Sequence, residues 1–337
     1  MSKNLLGIFL LAALPLVQAQ ELDPAHVEPP PLETGGRQLR LGGWLDLAFL
    51  ASEDDSEFVL PHVYLFLDAD LSTSWSGFLE VSHKDTPIAS EETSLERAFV
   101  EYHHGIPTRI RVGRFNTPAG LWKQSQWSIM LDSNSKPLIE AQHWIPQLSS
   151  GIEFLGKKVS SGLEWNYDLF ISRQESEDKP IEYADTRTSF GGDLSVMIGE
   201  RIHAGVFYHS YRNDMEGIDP VPGDRRSRLV YTDVQILPGL SWRAEYLDVQ
   251  RGNQPDLDGF YTRLKWRFQP DLFANYRYDQ ADMLKGMLAH RHKVHTATLG
   301  YWPLPWLRTR AEIKRHRVEG LQQISYNEGS LWMGVLF

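Results

Sequence analysis

From Arg37 to the end of the chain, apolar and polar residues alternate in segments of about ten residues. The pattern is clearest in the C-terminal half. Between Gly259 and Phe268, Phe260, Thr262, Leu264, Trp266 and Phe268 alternate with Tyr261, Arg263, Lys265 and Arg267. Between Trp306 and Arg315, Leu307, Thr309, Ala311 and Ile313 alternate with Arg308, Arg310, Glu312 and Lys314. A period of two puts each set on its own face of a β-strand, whereas a helix would spread these charges around its whole circumference. Leu39-Leu41-Gly43-Leu45-Leu47-Phe49, Leu163-Trp165-Tyr167-Leu169-Ile171 and Ile202-Ala204-Val206-Tyr208 repeat the pattern and predict further strands.

The connections alternate as well. Ile198-Gly199-Glu200-Arg201, Leu237-Pro238-Gly239, Gln269-Pro270-Asp271 and Trp302-Pro303-Leu304-Pro305 are short and rich in turn residues. Polar stretches around 172–187, 213–226, 252–258 and 283–293 read as long loops. Short turns at one end and long loops at the other predict an all-β fold, a transmembrane antiparallel up-and-down β-barrel of about 16 strands.

Composition fits such a wall. Mean hydropathy is −0.37, yet aromatic residues make up 12 % of the chain. A barrel combines an apolar lipid face with a polar lumen face, so its average looks hydrophilic. Trp75, Tyr102, Trp242, Trp302 and Trp306 fall beside short turns, and Phe49, Tyr208 and Tyr278 near long loops, as two aromatic girdles would require.

The N-terminus reads differently. Lys3, the apolar run Leu5–Val17 and the small-residue site Val17-Gln18-Ala19 mark residues 1–19 as a signal peptide. The run is too short for a spanning helix, and Pro15 interrupts its end. Residues 20–36, with Pro29-Pro30-Pro31, are expected to form a flexible periplasmic segment, and 37–337 the barrel. The absence of cysteine excludes thiol catalysis, Fe–S clusters and CxxCH haem attachment, and no cofactor is expected. A net charge of −10 argues against a nucleic-acid partner.

Two stretches carry resemblances. The chain ends Leu331-Trp332-Met333-Gly334-Val335-Leu336-Phe337. The terminal Phe337, with Leu331, Met333 and Val335 at alternate positions before it, resembles the C-terminal signature of Gram-negative outer-membrane proteins. That resemblance implies recognition by the barrel-assembly machinery, an outer-membrane location, and contact with lipid and lipopolysaccharide. Gly113-Arg114-Phe115-Asn116-Thr117-Pro118-Ala119-Gly120 resembles the GRF-x-x-P-x-G segment of porins similar to the phosphate-selective O/P group and of related outer-membrane barrels. In those porins the following loop folds into the barrel and narrows it. Nothing in the segment commits this chain to phosphate.

That segment opens the longest connection, 116–147, which carries Pro118, Gly120, Trp122, Lys123, Trp127, Asp132, Lys136, Glu140 and Trp144. A structureless connection of this length is expected to be functional, either as a constriction inside the pore or packed over its mouth. Alternation puts Arg243, Arg263, Lys265, Arg267, Arg277, Arg308, Arg310 and Lys314 on the lumen face, opposite Glu153, Glu164, Asp168, Asp193 and Asp233. Opposed walls of opposite sign would set up a transverse field across a water-filled pore.

Catalysis finds no support. His209 and Ser210 are adjacent, so they point to opposite faces of a strand and form no dyad. His290, His292 and His295 lie among Arg291 and Lys293, whose charges would repel a metal, and His103-His104 beside a turn is unremarkable in composition. The sequence therefore reads as a passive channel for small hydrophilic solutes or ions. A substrate-specific, anion-selective channel and a structural or enzymatic barrel are the alternatives, with monomer and homotrimer both open.

Overall fold

The computed structural model describes residues 32–34 and 37–337 apart from 54, 85–91, 104–106, 125–126, 142–143, 176–187, 214–222, 253, 286–287 and 321–322. The expected signal peptide, nearly all of the 20–36 segment and His104 lie outside the described residues.

A short strand β1 (Leu32–Thr34) precedes β2 (Arg37–Ala51), β3 (Ser56–Asp70), β4 (Trp75–Lys84), β5 (Glu92–Tyr102) and β6 (Thr108–Asn116). Two short helices follow, α1 (Gly120–Gln124) and α2 (Leu138–Ala141), with a 3-10 turn at Ser128–Met130 between them. The chain continues through β7 (Leu148–Ser160), β8 (Leu163–Glu175), β9 (Ser189–Ile198), β10 (Ile202–Asn213), β11 (Gly223–Leu237) and β12 (Leu240–Arg251). It ends with β13 (Gln254–Gln269), β14 (Leu272–Lys285), β15 (Leu288–Leu304), β16 (Leu307–Glu319) and β17 (Ile324–Leu336).

Strands β2 to β17 pair antiparallel with their sequence neighbours. β17 closes the ring on β2, in register from Gly329↔Ala51 to Leu336↔Trp44. The result is a closed barrel of sixteen strands. β1 folds back on the start of β2, pairing Leu32 with Leu39. Phe337 extends the seam, exchanging both backbone hydrogen bonds with Gly43 at 2.9 Å.

The alternation read from the sequence governs the wall. Leu264, Trp266 and Phe268 are exposed on the outside, while Tyr261 and Arg263 are buried inside. Tight turns match their residues: Leu237 pairs with Leu240 across Pro238-Gly239, and Gly239 takes a φ of +78° that a side chain would strain.

Two readings need correction. The polar stretches at 252–258 and 283–293 continue the strands, with β13 starting at Gln254 and β15 at Leu288. Their outward residues, such as Asp256 and Arg291, are polar, so these extensions show no apolar alternation even though Leu257 and His292 are buried on the inside. His290, His292 and His295 therefore sit on β15 and not in a loop. Trp302 also departs from its expected girdle. It faces inward against Phe273, ring centroids 5.3 Å apart, whereas Trp75, Trp242 and Trp306 are exposed outside.

Apolar packing lies inside the ring. One cluster joins Phe115, Leu121, Ile139, Trp144 and Ile145 to Phe170, Phe207, Leu229, Leu247 and Tyr261. A second joins Ile129 to Trp44, Phe66 and Trp332, with Trp127 and Met130 against it. Both contain residues of the 116–147 segment, which therefore packs on opposite sides of the barrel interior.

Candidate functional site

The 116–147 segment leaves β6 at Asn116 and re-enters the wall at Leu148, with Thr117 N–H donating to the Gln147 carbonyl at 2.9 Å. Pro118 and Gly120 shape its start. Gly120 has a φ of +65°, and the space a side chain would need holds the Glu245 carboxylate. That carboxylate accepts the N–H groups of Leu121 and Trp122, both at 3.1 Å, and the Tyr261 hydroxyl at 2.5 Å. These N–H groups open α1, where no carbonyl within the helix can satisfy them.

From there the loop is tied down bond by bond. Trp127 packs on Trp44 and Phe66, with ring centroids at 4.9 and 5.3 Å. Ser128 accepts from Trp44 Nε1 at 3.0 Å and donates to Asp46 at 2.5 Å. Asp132 accepts from Arg263 at 2.5 Å and from Lys265. Asn134 and Ser135 present their N–H groups to Glu312 at 2.8 and 3.1 Å, and Leu138 N–H donates to Asp279 at 3.1 Å. Lys123 and Glu140 pair within the loop at 2.7 Å, both buried. Trp122 lies beneath the Arg277 guanidinium, Trp144 is buried in the larger cluster, and Lys136 stays exposed.

The strand cations expected to line a pore are mostly consumed in this anchoring. Arg277, 2 % exposed, donates to Ser133 Oγ at 2.7 Å, the Ser135 carbonyl at 2.8 Å, Ser135 Oγ at 3.1 Å and the Lys136 carbonyl at 3.2 Å. Arg308 donates to the Ile129 carbonyl at 2.8 Å. Arg310 donates to Asn134 Oδ1 and the Ser128 carbonyl, both at 2.9 Å, and to the Leu131 carbonyl. Arg267 lies over the Trp302 ring, Lys314 pairs with Glu328, and Arg243 with Asp233. The expected free cationic wall is therefore replaced by a buried interface. Carbonyls at bends and irregular turns need donors, and long side chains on neighbouring strands supply them.

Asp132 shows the electrostatic consequence. Burial alone would raise its pKa, but Lys265 and then Arg263 outweigh burial and hold the carboxyl well below the usual carboxylate range.

The other wall is organised differently. Arg111 bridges Glu153 at 2.6 Å and Glu101 at 2.8 Å, Arg97 pairs with Glu80 at 2.5 Å, and Lys84 with Glu96 at 3.0 Å. Opposite charges are thus interleaved along β4–β8 and not segregated on facing walls. Beneath the loop, toward the tight-turn end, this wall bounds a cavity of about 1230 Å³ roofed by Pro118 and Gln124. Asp68, Asp70, Glu101, Glu164, Asp168 and Asp193 line it, against Arg40, Arg109, Arg111 and Lys157.

The sequence reading missed the carboxylates Glu245 and Asp279 and gave Glu312 a face but no role, though each accepts loop N–H groups. Their signal was a lone acid at an inward position among apolar or basic neighbours. It also missed Arg111. His209 is fully buried inside the barrel, and no group of three His, Asp or Glu side chains is gathered to hold a metal among the described residues.

No protein-family model and no curated protein matches the chain. Solved structures do. OmpF of Salmonella typhi, in complex with daunomycin, has a TM-score of 0.67 at 12 % identity, over 91 % of this chain and 100 % of that one. The outer-membrane channel DcaP of Acinetobacter baumannii has 0.65 at 11 %, over 90 % and 99 %. An anion-selective porin from Comamonas acidovorans has 0.60 at 13 %, over 89 % and 100 %. At these identities the likeness is one of fold, and the fold is that of the outer-membrane porins.

Proposed function

We propose that this protein is a channel of a Gram-negative outer membrane, passing small hydrophilic solutes or ions by diffusion. The reading rests on one observation: a loop pinned across the inside of a sixteen-strand barrel, beside a charged cavity. The loop covers the inner face of β10–β17 and reaches β2 and β3 through Trp127 and Ser128, so solutes pass through the space left beside β4–β8. Six acidic side chains and four Lys and Arg line the cavity, so it suits small polar solutes and ions. A substrate-specific channel is the second reading, favoured by the Arg111 guanidinium lying 4.2 Å over the Phe99 ring at the cavity wall. Saturable block by a solute would select it.

Planar-bilayer recording tests the reading. Deleting residues 123–140 should raise single-channel conductance several-fold and, by uncovering Arg263, Arg277, Arg308 and Arg310, shift permeability toward anions. An unchanged conductance would place the ion path elsewhere.

The remaining parts of the proposal are an export signal at 1–19, lipid and lipopolysaccharide around the wall, and the barrel-assembly machinery at Leu331, Met333, Val335 and Phe337. Assembly is as a monomer or a homotrimer. Deleting Phe337 removes two seam hydrogen bonds as well as the terminal signal, and should abolish heat-modifiable, membrane-inserted protein on gels.

A further inference from the structure

Near the long-loop end of the barrel, β15 and β16 bring together histidines that neither the loop nor the cavity uses. His292 faces Val318 across the pair and His316 faces Val294, so the two imidazoles are diagonal neighbours on the inner face. Their nitrogens, Nε2 of His292 and Nδ1 of His316, stand 3.0 Å apart. Both residues are nearly buried, at 9 % and 7 % exposure. We propose that His292 and His316 chelate an imidazole-seeking divalent cation of the Zn²⁺ or Cu²⁺ type, with His290 or solvent completing the coordination.

The spacing suits a metal. Two nitrogens on a tetrahedral Zn²⁺ with bonds of ~2.0–2.1 Å lie roughly 3.3 Å apart, and two cis nitrogens on a tetragonal Cu²⁺ somewhat closer. The pair therefore needs only a small opening to admit the ion. His290 lies two residues before His292 on the same strand face. Its Cβ is 3.1 Å from where a Cβ on Gly320 would stand, so a side chain at 320 would crowd it. A rotation of the His290 ring would add a third imidazole, which the present arrangement does not yet supply.

The surroundings are those of a ligating histidine. His316 stacks on Tyr326, with centroids 4.5 Å apart and planes 4° from parallel, which fixes its ring. Its other nitrogen, Nε2, is buried without a hydrogen-bond partner and lies 3.5 Å from the Glu328 carboxylate. A small approach would close that bond, which orients an imidazole and raises its basicity toward a metal. Lys314 is paired with that same carboxylate. The neighbouring cations offer little repulsion: Arg291 and Lys293 point to the opposite face by strand alternation and are paired with Asp282 and Glu319, each at 2.8 Å. The repulsion anticipated from the sequence is thus removed by geometry.

The test titrates the folded, detergent-solubilised full chain with Cu²⁺, read by electron paramagnetic resonance, and with Zn²⁺, read by calorimetry. One site per chain is expected, with nitrogen hyperfine structure from at least two imidazoles. H292Q/H316Q, which keeps polar side chains at both positions, should weaken that site at least tenfold, and H290Q two- to tenfold. Retained heat-modifiable mobility will show that the variants are folded. Equal binding by wild type and H292Q/H316Q, or a Cu²⁺ spectrum with no such nitrogen couplings, would overturn the proposal. Neither readout involves conduction, so the result stands apart from the channel reading.

Discussion

The inner faces of β12–β16 and of β4–β8 carry similar charged residues and use them in different ways. On β12–β16, arginines meet loop carbonyls and carboxylates meet loop N–H groups, and water is displaced. On β4–β8, guanidinium and carboxylate groups pair with one another along the wall, and of these Glu101, Arg109 and Arg111 border the cavity. The difference lies in what stands opposite. A charge facing irregular backbone becomes a structural bond, whereas a charge facing open space remains available to solutes.

The largest expected effect separates the two walls by stability. Arg277→Ala strips four loop contacts and leaves Asp279 without its ion-pair partner, 2.8 Å away in the intact protein. Breaking a buried pair of this kind costs about 3–5 kcal/mol. Arg111→Ala should cost less, because Arg111 and one of its two partners, Glu101, border the solvated cavity, while only Glu153 is buried away from it. Urea unfolding of detergent-folded protein measures both, and equal losses would erase the distinction between the walls.

Selectivity gives an intermediate effect of opposite sign on each side. Asp132→Asn releases Lys265 and Arg263 from their shared carboxylate and should move the reversal potential toward anions. Arg111→Ala frees Glu101 and Glu153 and should move it toward cations. Shifts in the same direction would show that the two walls do not act separately.

The smallest effect is in pH. A carboxyl with a depressed folded-state pKa contributes stability above its unfolded value, ~3.9, and loses it only as pH falls through the lower folded value. The Asp132 anchor should therefore persist throughout the ordinary carboxylate range. The reversal-potential difference between wild type and Asp132→Asn should be constant from pH 7 to pH 5. A difference that shrinks toward pH 5 would mean that Asp132 is not held ionised by its partners.

The wall was legible in the sequence because strand alternation is local: Phe260 to Phe268 and Leu307 to Lys314 show their faces without reference to any other segment. The bounds of the 116–147 loop were equally legible from its flanking strands. Its partners were not. Arg310 and Asn134 are separated by 176 positions, and no pattern within either strand or loop specifies their meeting. Trp302 was misread for a related reason. Nearness to a turn sets its height in the wall, but only parity along β15 sets its face, and parity puts it inside with Phe273. The strand extensions at 254–258 and 288–293 were hidden because their outward residues are polar, so no apolar stripe marks the face that Leu257 and His292 bury.

The seam between β17 and β2 has a consequence for synthesis. The residues that close the ring lie at opposite ends of the barrel sequence, so every shorter chain emerging during translation exposes two strand edges. Such edges invite pairing with other chains, and closure must wait for contacts of the greatest sequence separation available. A protein built this way cannot protect itself while it is being made. The β17–β2 pairing, extended by the Phe337–Gly43 bonds, removes both edges at once.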